Sequence, residues 1–310
     1  MYDVVALGEL LIDFTTQSID SDGYPTMAAH PGGAPANFLA AIAKFGGKAG
    51  MLGKVGTDTF GKLLTNTLRG AGIETKGLVA ADDVFTTLAF VTLDENGDRE
   101  FAFARKPGAD TQLRFDELDL SVIGEARVFH FGTLSLTDEP ARCTTYRAVE
   151  YAKAHGKLIT FDPNLRKPLW RDLVNAKEQM LWGLDHTDVV KISDEEVEFL
   201  FSLGAQDGAQ YILDHFPVKL VFVTCGADGC WFQNRKSSGH VDSLKNIKVV
   251  DTTGAGDIFG GSAVWKLLQT GKAPEDLTEA ELREIVSFAC KAAGLSTTKH
   301  GGISSVPELL

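Results

Sequence analysis

Cysteine is scarce in this chain: Cys143, Cys225, Cys230 and Cys290 are its only four, and no two stand in a CxxC spacing. That argues against thiol-rich zinc modules and disulfide scaffolds, and leaves reduced thiols within strands and helices. The seven histidines are scattered with no i, i+4 pair, so a zinc site is not expected and any metal would be held by oxygen ligands. There is no Lys/Arg run, and 30 basic against 42 acidic residues give a net charge of -12, no field for nucleic acid or an anionic membrane. No apolar run approaches the roughly 18 residues of a membrane span. The opening "MYDVVALGELLIDF" has no basic region ahead of its apolar run and carries Asp3 and Glu9 early, unlike a secretory signal. A soluble, cytoplasmic protein is therefore expected. What is plentiful is apolar side chain, 44% of 310 residues, ample for a buried core.

Short apolar runs alternate with amphipathic stretches along the chain. Strands are expected at "VVALG" (Val4), "AGMLG" (Ala49), "VFHFG" (Val128), "LITFD" (Leu158), "DVVKIS" (Asp188) and "LVFVT" (Leu220); helices are expected from Asn37 to Phe45, from Thr59 to Gly72 and near Pro140 to His155. This alternation predicts an α/β fold with a mostly parallel sheet covered on both faces, in which ligands bind beyond the carboxyl ends of the strands. Gly8, Asp162, Ser193 and Cys225 fall at those ends. Two segments, about 12–31 and 84–106, read instead as antiparallel strands, the second turning at Asn96-Gly97. They predict a small β-sheet lid inserted in one domain spanning 1–310, with no linker or repeat marking another.

"DTTGAGD", Asp251 to Asp257, puts Gly254, Ala255 and Gly256 in the turn entering an apolar helix, where backbone N–H groups lack intrahelical partners and an anion can come close. A carboxylate at that mouth would repel a bound anion. It makes sense if Asp257 takes a proton from a nucleophile attacking the anion, which is the layout of phosphoryl transfer. Taken alone, the motif fits a capped helix equally well. "GTDTFGKL", from Gly56, nearly matches the phosphate loop GxxxxGK[ST], but Leu63 stands where a metal-binding hydroxyl is needed. In "HPGGAPANFLAAIAKFG", Gly32 and Gly33 let backbone approach a ligand, and Asn37 can both donate to and accept from a hydroxyl.

Together these stretches resemble the ribokinase-like, PfkB-type carbohydrate kinases. "PGGAPANFLAAIAKFG" with "GKVGTDTFG" is similar to the family's N-terminal signature and "DTTGAGDIFGGSAV" to its C-terminal one. The resemblance implies a three-layer sandwich with a small β-sheet lid. It also implies Asp257 as the base that deprotonates the sugar, with Gly254, Ala255 and Gly256 as the anion hole. Asp13, Gly32, Gly33, Asn37 and Phe103 are expected at the sugar, with Arg105 and Arg166 near the sugar or the transferring phosphate. On the nucleotide side, Lys191, Ser193 and "TCGADG" (Thr224, Gly226, Ala227 and Gly229) are expected along ATP. Glu196 is expected to organise Mg²⁺ through water, although Ser193 replaces the family's usual Asn. Asp251 and Thr253 belong to a loop that, with backbone from about Ser296 to Ser305, implies K⁺ binding.

Ribose kinases usually carry "GGKGAN" where this chain has "GGAPAN". That form, with "REFAFARKPGAD" and "FDPNLRKPLW", is similar to fructokinases, with 2-keto-3-deoxygluconate kinases next. The latter branch tends to carry hydroxyl-bearing aromatics before the arginine, where Phe103 and Ala104 stand here. Phosphorylation of D-fructose to fructose 6-phosphate by ATP is the expectation; a nucleoside kinase is a further rival. A nucleotide-dependent oxidoreductase on a doubly wound sheet would want G-x-G-x-x-G after the first strand, and "GELLIDF" lacks it. Leu88, Phe90, Phe101 and Phe103 make the lid apolar, which predicts either a homodimer through the lid or a face turned to the chain's own cleft.

Overall fold

A computed structural model describes residues 1–93 and 99–308. The core sheet runs, from one edge to the other, through Ser238–Val241, Cys230–Asn234, Leu220–Thr224, Val189–Ser193, Leu158–Asp162, Ala126–Gly132, Tyr2–Leu7, Ala49–Gly56 and Ile73–Glu74. Leu78–Ala81 also pairs with Ala49–Gly56. The pairings are parallel from Leu220–Thr224 onward, and only the two strands at the first edge join antiparallel.

The strands are apolar on both faces because both faces are covered. Val5 and Leu7 join Phe129, Phe131, Ile159 and Phe161 against helices Ala141–Ala154, Leu173–Asp185, Asp194–Phe201 and Ala205–His215. Val4 and Ala6, the alternate positions, join Met51 and Val128 against helices Ala34–Lys44, Thr59–Gly70 and Ala255–Thr270. Helix Glu279–Ser296 completes this layer through Leu282, Ile285 and Val286, which pack with Phe222 and Phe259. Helix, sheet and helix make three layers.

Pro35 lies in the first turn of helix Ala34–Lys44, which therefore starts three residues before the expected Asn37. Asn37 sits inside that turn rather than opening it.

A second sheet orders Pro25–Gly32, Leu11–Ile19, Thr87–Leu93 and Arg99–Ala104. Its outer pairings are antiparallel, but Leu11–Ile19 and Thr87–Leu93 run parallel, unlike the wholly antiparallel lid expected from sequence. Both inner strands follow closely on core-sheet strands and travel outward together, which fixes their relative direction. The Asn96-Gly97 turn and the Phe101 side chain lie outside the described residues. Phe14 stacks on Phe90 at 5.3 Å between ring centroids and meets Phe60 of helix Thr59–Gly70 edge-on at 5.5 Å. Leu88 also joins the core layer. Much of the apolar face is thus covered within this chain, while Phe103 faces the cleft.

Candidate active site

Because Tyr2–Leu7, Leu158–Asp162, Val189–Ser193 and Leu220–Thr224 share one direction, their carboxyl ends open on one rim. Between this rim and the small sheet lies a cleft of about 640 Å³, lined among others by Asp13, Gly32, Gly33, Asn37, Phe103, Arg166, Asp251, Thr253, Gly254 and Asp257. Residues far apart in sequence, from both glycine-rich segments, therefore share one cavity.

Asp257 occupies the first turn of helix Ala255–Thr270, whose N-cap Gly254 has φ 76 and provides no side-chain cap. An added Cβ at Gly254 would lie 2.9 Å from Gly302 Cα, so both the sign of φ and the crowding require glycine. Ala255, also expected in the anion hole, donates its N–H to the Thr252 carbonyl at 3.2 Å. The Gly254 and Gly256 N–H groups find no protein acceptor among the described residues.

The Asp257 carboxylate is held at both oxygens. Asn37 Nδ2 donates to Oδ2 at 2.9 Å and Asn164 Nδ2 donates to Oδ1 at 3.1 Å. Burial raises the carboxyl's pKa, opposed by the Asn37 hydrogen bond, the Lys191 and Arg166 cations and the Asn164 hydrogen bond. A buried, doubly oriented carboxylate beside unpaired amides can accept a proton from a hydroxyl in the cleft.

The opposite wall comes from the Gly32-Gly33 turn. Gly33, at φ 118, passes so close to the first strand's exit that an added Cβ would lie 2.4 Å from the Glu9 carbonyl oxygen. Gly32 leaves room for Asp13, whose Oδ2 would be 2.5 Å from a Cβ there. Burial pushes the half-buried Asp13 carboxyl up to about 6. Glu9, which sequence reading did not place at the site, lines the cleft and accepts from the Ala34 N–H at 2.7 Å. Burial pushes its carboxyl up to about 7.

Arg166 lines the cleft, its Nη1 donating to Asn164 Oδ1 at 2.6 Å. Arg105 departs from the expectation. Its buried guanidinium pairs with Asp110 at 2.7 Å and donates to Thr137 Oγ1 and the Leu134 carbonyl, both at 2.8 Å, and it does not line the cleft. Asp110, five residues along and equally buried, captures the cation that the sequence placed at the rim.

Lys191, expected along the nucleotide, is engaged by a carboxylate. It is half-buried at the rim and pairs with Asp162 at 3.1 Å, its Nζ 3.0 Å from where a Gly256 Cβ would sit. Burial alone would lower its pKa, but the carboxylates of Asp162, Glu196 and Asp257 outweigh it and keep the ammonium charged.

Ser193 and Glu196 form a reciprocal cap on helix Asp194–Phe201: Ser193 Oγ accepts from the Glu196 N–H at 3.2 Å and Glu196 Oε2 from the Ser193 N–H at 2.9 Å. Glu196 Oε1 accepts from the Leu165 N–H at 2.7 Å, so this buried carboxylate ties helix Asp194–Phe201 to the loop after Asp162. Ser193 and Thr224 stand in register, and the tight turn Gly226–Asp228 follows Thr224. Gly226, Ala227 and Gly229 thus lie along the same rim but outside the 640 Å³ cavity.

Asp251 Oδ1 accepts from Thr253 N–H and Oγ1–H at 2.9 and 2.7 Å, and Oδ2 accepts from the Gly301 N–H at 3.0 Å. These bonds fasten the turn before Asp257 to the segment after Ser296.

Residues 1–309 match the pfkB family carbohydrate kinases. The chain is 42% identical over 307 residues to fructokinase-2 of Solanum lycopersicum, covering 98% of this chain and 93% of that one. It is 41% identical to fructokinase-1 of Zea mays, covering 98% and 94%. Among solved structures, fructokinase with bound ATP from Xylella fastidiosa superimposes with a TM-score of 0.91 at 30% identity, covering 99% and 96%. Fructokinase from Vibrio cholerae in its fructose-, ADP- and calcium-bound form gives 0.87 at 31%, again covering 99% and 96%. The glycine turns that clear the cleft, the carboxylate held at its floor and the three-layer sheet around them have one setting in common: the chain belongs to the pfkB family of carbohydrate kinases.

Proposed function

We propose that this carbohydrate kinase transfers the γ-phosphoryl group of ATP to O6 of D-fructose, giving fructose 6-phosphate and ADP. The observation that carries the reading is the Asp257 carboxylate, oriented by Asn37 and Asn164 on the cleft floor beside the Gly254 and Gly256 amides. Asp257 takes the O6 proton as the O6–P bond forms and the bond from γ-phosphorus to the bridging oxygen breaks. The two amides meet the charge on the phosphoryl oxygens, and Arg166 supplies a cation at the cleft wall. Asp13 and Asn37 hold the sugar hydroxyls, and the small sheet acts as a lid that keeps water from the phosphoryl group.

Fructose is favoured over 2-keto-3-deoxygluconate because only one of the two expected arginines, Arg166, lines the cleft. Arg105 is neutralised by Asp110 and offers no second cation for a substrate carboxylate.

Mg²⁺ and K⁺ belong to the proposal. No group of three or more His, Cys, Asp or Glu that could hold a metal occurs among the described residues. A donor set this sparse fits an ion that arrives on the nucleotide phosphates and keeps its waters, with Glu196 in reach through water. Bound there, Mg²⁺ would neutralise phosphate charge. K⁺ would be held by the turn of Asp251 and Thr253 with the segment Ser296–Ser305, which Asp251 already fastens together. A homodimer through the lid would cover Ile19 and Tyr24, which are 62% and 69% exposed. A cytoplasmic setting suits four unpaired cysteines, and no described helix is long and apolar enough to cross a membrane.

ADP release from Mg·ATP with K⁺, compared across D-fructose, 2-keto-3-deoxygluconate, ribose and adenosine, tests the reading. Selective turnover of fructose is expected. Selective turnover of ketodeoxygluconate would keep the base and reassign Arg166 to a carboxylate, while an adenosine preference would overturn the sugar assignment.

A further inference from the structure

The loop after strand Leu158–Asp162 contains a residue whose backbone and side chain need separate explanations. Asn164 has φ 45, the left-handed region that asparagine tolerates better than most side chains and glycine tolerates freely. The turn therefore asks for Asn or Gly, and nothing in it requires a carboxamide. Yet the carboxamide is engaged at both ends: Nδ2 donates to Asp257 Oδ1 at 3.1 Å and Oδ1 accepts from Arg166 Nη1 at 2.6 Å.

The backbone beneath it is pinned. Asn164 N–H donates to Asp162 Oδ1 at 3.1 Å and Leu165 N–H to Glu196 Oε1 at 2.7 Å, while Asp162 is itself paired with Lys191. A side chain on so fixed a base cannot follow its partners; they must conform to it.

We infer that Asn164 is a positioning residue for phosphoryl transfer: it sets the plane of the Asp257 carboxylate and ties that carboxylate to the Arg166 guanidinium. One amide then aligns the group that activates the acceptor with the cation beside the transferring phosphoryl. The inference rests on the reading of Asp257 as the base.

Its signature lies in pH dependence as well as rate. Asp257 faces Lys191 from strand Val189–Ser193, Arg166 from the Asn164 loop, Asp162 at its strand end and Asp13 from the small sheet. Among these charges the Asn164 N–H favours the ionised base, so its removal moves the acid limb of kcat to higher pH.

The experiment compares wild type, Asn164→Gly, Asp257→Asn and the double variant in kcat, fructose KM, the pH profile of kcat and thermal midpoint. Glycine accepts the backbone angle, so Asn164→Gly should keep or raise the midpoint. It should lower kcat about ten- to hundred-fold, the scale of a hydrogen bond to a charged group, shift the acid limb upward and leave fructose KM nearly unchanged. The double variant should be no slower than Asp257→Asn. Unchanged kcat and acid limb in Asn164→Gly, beside an inactive Asp257→Asn, would overturn the inference alone. A slower Asn164→Gly with a lowered midpoint and an unmoved limb would also overturn it, leaving a structural role. Near-normal turnover by Asp257→Asn would instead remove the base, and the inference with it.

Discussion

Asn37 and Asp257, 220 residues apart in the chain, meet at 2.9 Å through Nδ2 and Oδ2. The other end of the same amide, Asn37 Oδ1, is buried with no hydrogen-bond partner among the described residues. Leaving a buried acceptor unsatisfied costs about 1–3 kcal/mol, and a sugar hydroxyl donating to it would recover that cost. Asn37→Ala should therefore raise fructose KM and lower kcat together, cutting kcat/KM by about ten- to hundred-fold. Steady-state kinetics checks this; a defect confined to the KM for ATP would refute it.

Gly302 guards that amide from the other side. A Cβ there would lie 2.1 Å from Asn37 Oδ1 and 2.6 Å from Nδ2. Gly302→Ala must push the Asn37 side chain off Asp257, so its kcat/KM should fall on the same order as in Asn37→Ala, about ten-fold or more. The double variant should show little added loss. Full additivity in the same assay would mean that the two residues act separately.

Arg105 should behave as a structural cation. Arg105→Met leaves Asp110 buried without its partner, which typically costs about 3–5 kcal/mol. Denaturant unfolding should show that loss, while fructose KM, measured where the variant remains folded, changes little. Unaltered stability with a large rise in KM would restore Arg105 to the sugar.

Glu9 is 3% exposed, and burial pushes its carboxyl from the usual 4.5 up to about 7. A raised folded-state pKa means that its stabilising contribution is complete below about 4.5 and lost as pH rises through about 7. Glu9→Gln keeps an acceptor for the Ala34 N–H without the charge. It should raise the unfolding free energy at about pH 8 by on the order of 3 kcal/mol and give no gain at about pH 4.5. Urea unfolding at both values is the check, and an equal gain at both would mean that Glu9 is not the titrating group.

Much of the site was legible in the sequence because its glycines and strand ends are local signals. Asp257 stands out through the glycines before an apolar helix, and Asp162 and Ser193 through the apolar runs that they close. What escaped depends on pairing across the fold. Lys191 reads as a polar residue near a rim, but its partner Asp162 belongs to the neighbouring strand, and register alone brings them together. Arg105 faces the same problem with Leu134 and Thr137, while its capture by Asp110 depends on how the intervening turn folds. Asn164 lies in a quoted motif, but neither the sign of its φ nor the two ends of its amide can be read from composition. The parallel pairing inside the small sheet likewise follows from where its strands leave the core.

The edges of the two sheets bear on how this protein behaves when concentrated. One flank of the core sheet ends in the four-residue strand Ser238–Val241, and the other is shared by the two-residue Ile73–Glu74 and the four-residue Leu78–Ala81. Strands so short offer few free backbone groups to a neighbouring chain. The small sheet has longer borders, but Pro25 and Pro31 remove donors from one of them. Strand-by-strand growth into filaments is thus discouraged at three borders, and Arg99–Ala104 is left as the segment where stickiness at high protein concentration would begin.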